Sequence, residues 1–337
     1  MSKRILLTGG AGYIGSHTYV ALIEAGYEVV ILDNFANAAR RVPGALEQIT
    51  GVPVTLFEHD VLDRAALDAI FAEHAFDAVV HFAALKAVGE SVEKPLEYMQ
   101  CNLGGLVTLM QAMAQAGVFN LVFSSSAAVY GVPESLPIPE TAPLSHANPY
   151  GYTKLVGEEI IAQTCASDPR WSVGVLRYFN PVGAHTSGLI GEDPKDIPNN
   201  LMPYIAKVAA GELPQLSVFG DDYATPDGTG VRDFIHVCDL ADGHVLSLNA
   251  LFRDGLGHTV NLGTGQGYSV LELLGAYSKA CGRDLPFQFT PRRPGDPAAS
   301  YADPGLAKDV LGFKATRGLE EMCTSSWHWI NTCAADN

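Results

Sequence analysis

Thr8-Gly9-Gly10-Ala11-Gly12-Tyr13-Ile14-Gly15 lies between a short apolar strand, Ile5-Leu6-Leu7, and an apolar-periodic helix running through Ile23. Glycines at 9, 12 and 15 let the backbone turn tightly, let a pyrophosphate approach the helix N-terminus, and let helix pack close on strand. On its own the motif is weak evidence. Here a second apolar stretch, Val29-Val30-Ile31-Leu32, delivers Asp33 eighteen residues after Gly15. A carboxylate there can bind both hydroxyls of an adenosine ribose and would repel a 2′-phosphate, which favours NAD over NADP. Asn34 rather than an arginine follows Asp33, although Arg40 and Arg41 lie a little downstream.

Outward from that unit, strands and helices alternate. Residues 54–58 read as a strand ending at His59-Asp60-Val61, 62–71 as a helix, and 78–82 as a strand running into Ala83-Ala84-Leu85-Lys86. Residues 95–115 read as one long helix with Leu96, Met99, Leu103, Leu106, Met110 and Met113 at core-facing spacing. Residues 121–123 open into Ser124-Ser125-Ser126, and 173–178 form the last clear strand of this part. Repeated βα units predict an α/β fold: a doubly wound parallel sheet of Rossmann type, with ligands at the carboxyl ends of its strands. Asp33, Asp60, Ala83 and Ser126 all fall at such ends. Beyond residue 180, prolines and glycines punctuate shorter segments, and Ser269 and Glu272 are spaced as a capping box. This predicts a first domain at 1–180 and a smaller α+β domain at 181–337, from which some strands return to the first.

Tyr150-Gly151-Tyr152-Thr153-Lys154 carries the chemistry. Asn148 suits an N-cap and Pro149 the first helical position, so Tyr150 and Lys154 share one helix face. A free tyrosine, with a pKa of about 10, is a poor base, and a neighbouring ammonium favours the phenolate. An isolated pair of this kind is more often a solvated amphipathic pair; its company with the glycine loop and Ser126 supports a proton acceptor.

The 337 residues carry a formal charge of −16, which argues against nucleic acid or an anionic membrane as partner. No apolar run approaches the ~18 residues of a membrane span, and no signal-peptide pattern opens the chain, so a cytoplasmic protein is expected. Cysteines at 101, 165, 238, 281, 323 and 333 show no zinc spacing and read as reduced thiols, and the ten histidines form no metal signature. No metal is expected. In so acidic a chain an anionic ligand must be met locally, and Arg232, Arg292 and Arg293 beside turns read either as phosphate ligands or as solvated charges.

Together Thr8–Gly15, the serine strand and the Tyr150 to Lys154 motif resemble the extended short-chain dehydrogenase/reductase superfamily. Longer stretches resemble, more narrowly, the UDP-glucose (UDP-galactose) 4-epimerases: Gly12-Tyr13-Ile14-Gly15-Ser16-His17-Thr18, Leu85-Lys86-Ala87-Val88-Gly89-Glu90-Ser91-Val92, Leu176-Arg177-Tyr178-Phe179-Asn180-Pro181-Val182-Gly183-Ala184-His185, Ile197-Pro198-Asn199-Asn200-Leu201-Met202-Pro203-Tyr204-Ile205 and Asp227-Gly228-Thr229-Gly230-Val231-Arg232-Asp233. The resemblance implies a base at Tyr150, a lysine at 154 that lowers its pKa and binds the nicotinamide ribose, and a hydroxyl at Ser126 on the sugar oxygen. It implies a tightly bound NAD, recycled within each turnover through transient NADH and a 4-keto sugar. Gly9, Gly12, Tyr13, Ile14, Gly15, Asp33, Asn34, Asn37, Asp60, Val61, Phe82, Ala83, Ala84, Lys86, Cys101, Ser126, Tyr150, Lys154 and Phe179 would line that cofactor. Lys86, Ser126, Tyr150, Asn180, Asn200, Leu201, Ser217, Phe219, Arg232, Arg293, Asp296 and Ser300 would hold a UDP-sugar. A homodimer through the helices at 95–115 and 149–165 is also implied.

Several positions depart from the family pattern: Cys101 and Ala84 stand for an asparagine and a glycine, Ala128 for a threonine, Phe234 for a tyrosine and Pro294 for a glutamate. Ser300 stands where some bacterial members carry a bulky tyrosine, which leaves room for the N-acetyl group of UDP-N-acetylglucosamine or UDP-N-acetylgalactosamine. Two other readings are compatible with the fold class. A nucleotide-sugar 4,6-dehydratase would need an Asp-Glu pair after the active-site hydroxyl residue, where this chain has Ala127 and Ala128; a non-catalytic NAD-binding sensor would have no need of Ser126, Tyr150 and Lys154 together.

Overall fold

A computed structural model describes residues 2–194, 198, 200–293 and 295–335. Of the positions singled out above, Ile197, Asn199 and Pro294 lie outside the described residues, as does the side chain of Cys333. The first six strands are β1 (Arg4–Thr8), β2 (Glu28–Leu32), β3 (Thr55–Phe57), β4 (Ala78–His81), β5 (Asn120–Ser126) and β6 (Ser172–Tyr178). Short β7 (Asn180–Val182), β8 (Leu216–Phe219), β9 (Val231–Arg232) and β10 (Phe234–His236) follow. The last four are β11 (His258–Leu262), β12 (Tyr268–Ser269), β13 (Phe287–Thr290) and β14 (Ala299–Ser300).

Seven strands form one parallel sheet in the order β11-β6-β5-β4-β1-β2-β3. A parallel sheet covered on both faces has strands buried on both sides, which is why they read as continuous apolar runs. In β1, Ile5 and Leu7 pack into the core on one face with Val80, Leu240 and Leu248, while Leu6 joins Leu106, Leu109 and Met113 on the other. The order reverses between β1 and β4, and that switch point opens a crevice at the carboxyl ends of the strands. β11 completes the sheet from far beyond β6, pairing with it from His258↔Gly174 to Leu262↔Tyr178.

The helix expected over 95–115 is helical throughout but not uniform: Pro95–Tyr98 and Gly105–Ala116 are α-helical and Met99–Gly104 between them is π-wound. Wider winding shifts the helical phase, so Leu96 is 82% exposed although Leu106, Met110 and Met113 are buried as the spacing predicts. Leu96 is therefore not core.

A third apolar cluster, including Met202, Ile205, Leu273, Tyr277 and Met322, supports the smaller sheets β10-β7, β12-β9-β14 and β13-β8. Ser269 and Glu272 form the capping box of the Val270–Cys281 helix, as their spacing predicts. Asp233, fully buried, ties this region together. Its carboxylate accepts from the Thr264 N–H at 2.8 Å, the Thr264 hydroxyl at 2.7 Å, the Gly265 N–H at 3.0 Å and the Ala302 N–H at 3.1 Å.

Candidate active site

Gly9 ends β1 at φ +70°, in the left-handed region that favours glycine, and a side chain there would put its Cβ 2.7 Å from the Ala83 backbone nitrogen at the end of β4. A Cβ on Gly15 would meet the Gly9 carbonyl at 2.3 Å. The glycines thus close the strand ends onto the Tyr13–Glu24 helix. Gly12 caps that helix without a side-chain hydrogen bond, leaving the first-turn N–H groups for an anion. A dinucleotide pyrophosphate fits this cradle.

At the adenosine end, Asp33 is buried and accepts from the Ala11 N–H at 3.0 Å and the Phe35 N–H at 2.9 Å. Asn34 donates to Asp60 Oδ2 at 2.7 Å, and the Leu62 N–H donates to Asp60 Oδ1 at 2.9 Å, so the ends of β2 and β3 are cross-linked. Val61 packs where a Cβ on Gly105 would approach it to 2.7 Å, and Asn37 is exposed on the loop after β2. Arg40 is held by Glu58 and Arg41 by Asp193, each pair closing to 2.5 Å. These residues fit NAD.

The residues expected to carry the chemistry gather at the other end of the crevice. Asn148 caps the Pro149–Ser167 helix, accepting from the Gly151 N–H at 2.9 Å, with Pro149 in the first turn as expected. Gly151 permits close approach, since a Cβ would lie 3.0 Å from the Ala128 carbonyl. That contact sets the start of the helix beside the end of β5. Lys154 is 5% exposed, donates to the Ser124 carbonyl at 2.7 Å, and sits 5.9 Å from the centre of the Tyr150 ring. Burial pulls its ammonium down to about 8. Burial pushes the Tyr150 phenol above its ordinary value, and its hydrogen bond with Ser126 opposes that shift. Ser126 also accepts from the Ala128 N–H at 3.1 Å.

Supporting residues escape a reading by motif. Asn102, in the π-wound segment beside half-buried Cys101, accepts from the Leu85 N–H at 2.8 Å and donates to the Leu85 carbonyl and the Thr153 hydroxyl at 3.0 Å each. It therefore fastens the loop carrying Phe82, Ala83, Ala84 and Lys86 to the helix carrying Tyr150 and Lys154. Glu158, one turn below Lys154, pairs with buried Arg177 at 2.6 Å and accepts from Ser125. Arg177 also donates to the Tyr130 hydroxyl at 2.9 Å and the Glu140 carbonyl at 3.1 Å. The sequence cue is the spacing of Lys154 and Glu158, too common to single out.

In the smaller sheets, Arg232 pairs with Asp296 at 3.2 Å, and Ser300 lies opposite Arg232 in the β9–β14 register. Arg293 stacks on Phe219 at 3.9 Å, at the end of the strand that carries Ser217. Arg292 is engaged elsewhere, on Asp222 at 2.6 Å. Asp233 links these strands to β7: its N–H donates to the Ser300 carbonyl and its carbonyl accepts from the Asn180 N–H, both at 3.0 Å. The N–H of neighbouring Phe179, a buried residue, donates to the Leu262 carbonyl at 3.2 Å. Glu192, 11% exposed, bridges Lys86 at 3.1 Å and Asn200 at 2.7 Å; Leu201 then begins a helix. Nothing in the composition around Glu192 marks it.

Among the described residues, no cluster of three or more His, Cys, Asp or Glu could hold a metal ion, and no helix is long and apolar enough to cross a membrane.

A family model described as the NAD dependent epimerase/dehydratase family matches residues 5–263. The UDP-glucose 4-epimerase of Bacillus subtilis is 57% identical over 325 residues, covering 96% of either chain. The crystal structure of UDP-glucose-4-epimerase from Stenotrophomonas maltophila, with bound NAD and formylated UDP-arabinopyranose, is similar at a TM-score of 0.98 and 50% identity, over 99% of this chain and 100% of that one. The Bifidobacterium longum UDP-glucose 4-epimerase, in complex with NAD+ and UDP, gives a TM-score of 0.94 and 51% identity over 98% of each chain. This chain belongs to the NAD-dependent epimerase/dehydratase family and, within it, to the UDP-glucose 4-epimerases.

Proposed function

We propose that the chain interconverts UDP-galactose and UDP-glucose at C4 with a resident NAD, using Tyr150 as base, Ser126 as hydroxyl partner and Lys154 as the supporting cation. The observation that carries this reading is the approach of Tyr150, Ser126 and Lys154 to one another at the carboxyl ends of the strands beside the glycine cradle. Gly9, Gly12, Tyr13, Ile14, Gly15, Asp33, Asn34, Asp60 and Lys86 would hold the cofactor. When bound, its oxidised nicotinamide supplies a hydride acceptor for C4 and a positive charge beside the phenol.

Tyr150 takes the proton of the 4-hydroxyl as C4 is oxidised, and Ser126 holds that oxygen through its hydroxyl. Lys154 stabilises the phenolate, whose formation burial otherwise opposes. The resulting 4-keto sugar is free to turn while Asn180, Asn200, Leu201, Ser217, Phe219, Arg232, Arg293 and Asp296 keep the UDP in place. Tyr150 returns the proton after the other face of the ketone has been reduced. No net oxidation occurs.

In this division of labour residues 1–180 serve the cofactor and 181–337 the UDP-sugar, with β11 returning to the large sheet. Ser300 favours a wider substrate range: it is a short side chain beside Arg232, and it leaves space for a 2-acetamido group. Incubating the purified protein, without added cofactor, with equal UDP-galactose and UDP-N-acetylgalactosamine tests both ideas by proton NMR. Both sugars should reach their gluco forms. Conversion of UDP-galactose alone would leave the mechanism and remove the wider range, whereas inactivity even with NAD supplied would overturn the epimerase reading.

Leu96 and Tyr152 are exposed on adjoining helices, as is Val107 further along, which supports a homodimer built there. Sedimentation equilibrium should give twice the chain mass, and Leu96→Glu with Tyr152→Glu should halve it. A monomeric parent protein would reject the arrangement. The free thiols at Cys101, Cys165, Cys238, Cys281 and Cys323 support a cytoplasmic enzyme, which cell fractionation checks by locating the activity.

A further inference from the structure

Asp33 does not stand alone at the ribose end of the crevice. Its N–H donates to the carbonyl of Phe57, the residue paired with Leu32, at 3.1 Å, and Glu58 follows directly. Arg40 returns to this place from the loop after β2. Its guanidinium lies 4.8 Å from the centre of the Phe35 ring, two residues beyond Asp33, and binds both Glu58 oxygens, at 2.8 and 2.5 Å. Phe35 adopts φ +54°, a conformation rare for a residue with a side chain, and its N–H donates to the Asp33 carboxylate at 2.9 Å. One cation thus stands at the ends of β2 and β3 with a carboxylate on its neighbouring strand closing off its fork.

A guanidinium in this position is the group that would accept a 2′-phosphate, because its fork binds two phosphate oxygens at once. Here the fork is occupied. Arg41, the other cation of the loop, is likewise paired, with Asp193 at 2.5 Å, and lies over the Trp329 ring at 4.6 Å. We infer that Glu58 is a second cofactor-discriminating residue, which excludes NADP by occupying Arg40. The inference rests on the NAD reading above and extends it to a residue that does not contact the ribose in the usual fingerprint.

Two consequences follow that Asp33 alone would not produce. Removing the Glu58 charge should admit NADP with Asp33 intact, and the gain should depend on Arg40. A Glu58→Gln variant keeps the side chain's length, and both members of the pair are on the surface, so the fold is under no threat.

Cells contain both NAD and NADP, so the protein chooses between them as it is made. The parent protein, Glu58→Gln, Arg40→Met and the double variant are purified from one host, and their bound nucleotide is released with acid and quantified by chromatography. The NADP fraction in Glu58→Gln should exceed that of the parent about tenfold, the scale of one charge-assisted contact. It should fall back to the parental value in the double variant and stay parental in Arg40→Met. A Glu58→Gln fraction equal to the parent's, or an increase that survives loss of Arg40, would overturn the inference. A parent that carries no NAD would instead overturn the reading beneath it.

Discussion

Tyr150→Phe is expected to lower kcat for UDP-galactose by about a thousandfold while the protein still purifies with its nucleotide. The substitution removes one oxygen from a ring whose position is set by other groups: the Asn148 cap, the Pro149 start of the helix, and the close contact of Gly151 with Ala128. Tyr150 makes no contribution to the glycine cradle, so nucleotide retention should persist. Ser126 and Lys154 remain, but neither replaces the phenol. A hydroxyl is too weak a base, and Lys154 is committed to the Ser124 carbonyl at 2.7 Å. Steady-state kinetics with acid release of the nucleotide separate the two effects. Retained activity within about tenfold would mean that another group takes the proton, and loss of nucleotide along with activity would mean that Tyr150 serves binding rather than chemistry.

Steep loss of stability below pH 6 is the second large expected effect. Four buried histidines are held neutral: burial pulls His17 and His81 down to about 3 and His236 and His244 down to about 4. His81 also lies near the Lys154 charge, and the His236 shift is deepened by Arg317. In the unfolded chain each would titrate near its ordinary value of about 6.5. The unfolded state therefore binds more protons as pH falls between 6.5 and 4, and stability present above 6.5 is lost through that window at about 1.4 kcal/mol per pH unit for each histidine.

From pH 7 to pH 5 the four together remove about 8 kcal/mol, comparable with the whole stability of an ordinary domain. Asp233, whose carboxyl burial pushes up, works in the opposite direction because it takes its proton more readily in the folded state. Burial pushes the Asp242 carboxyl up as well, and these two carboxyls do not offset four imidazoles. Urea titrations at pH 7 and pH 5 should show the midpoint falling sharply at unchanged m-value. Equal midpoints would mean that these rings are hydrated or already charged in the folded protein.

Much of the fold is legible along the chain because parallel strands and their helices leave strong local marks. β1, the glycine turn and the following helix are contiguous, and so are Asn148, Pro149, Tyr150 and Lys154. A contiguous pattern reports its own geometry. Long-range partners do not. β11 joins the large sheet only because its backbone meets β6 at Gly174 through Tyr178, a pairing that no local period encodes. Leu96 matches a helical stripe by spacing, yet the π-wound Met99–Gly104 segment turns it to the surface.

The site divides in the same way. Ser126 and Asp33 are visible as strand-end residues, and Arg232 as a cation beside glycines in an acidic chain. Asn102, Glu192 and Asp233 act through groups that are 17, 106 and 31 residues away at Leu85, Lys86 and Thr264, and their types are common throughout the sequence. Arg292 and Arg293 are adjacent and look equivalent. Only the folded chain separates them, by placing one against Asp222 and the other over Phe219.

The claim at the centre is that one hydrogen leaves C4 and returns to it inside a single closed site. UDP-galactose carrying deuterium at C4 tests this directly when converted by the purified protein in ordinary water and read by proton NMR and mass spectrometry. The UDP-glucose formed should retain the deuterium at C4 in full, with none released to solvent. Replacement of that deuterium by solvent hydrogen would contradict the account, since it would mean that C4 is inverted by proton exchange rather than by oxidation and return.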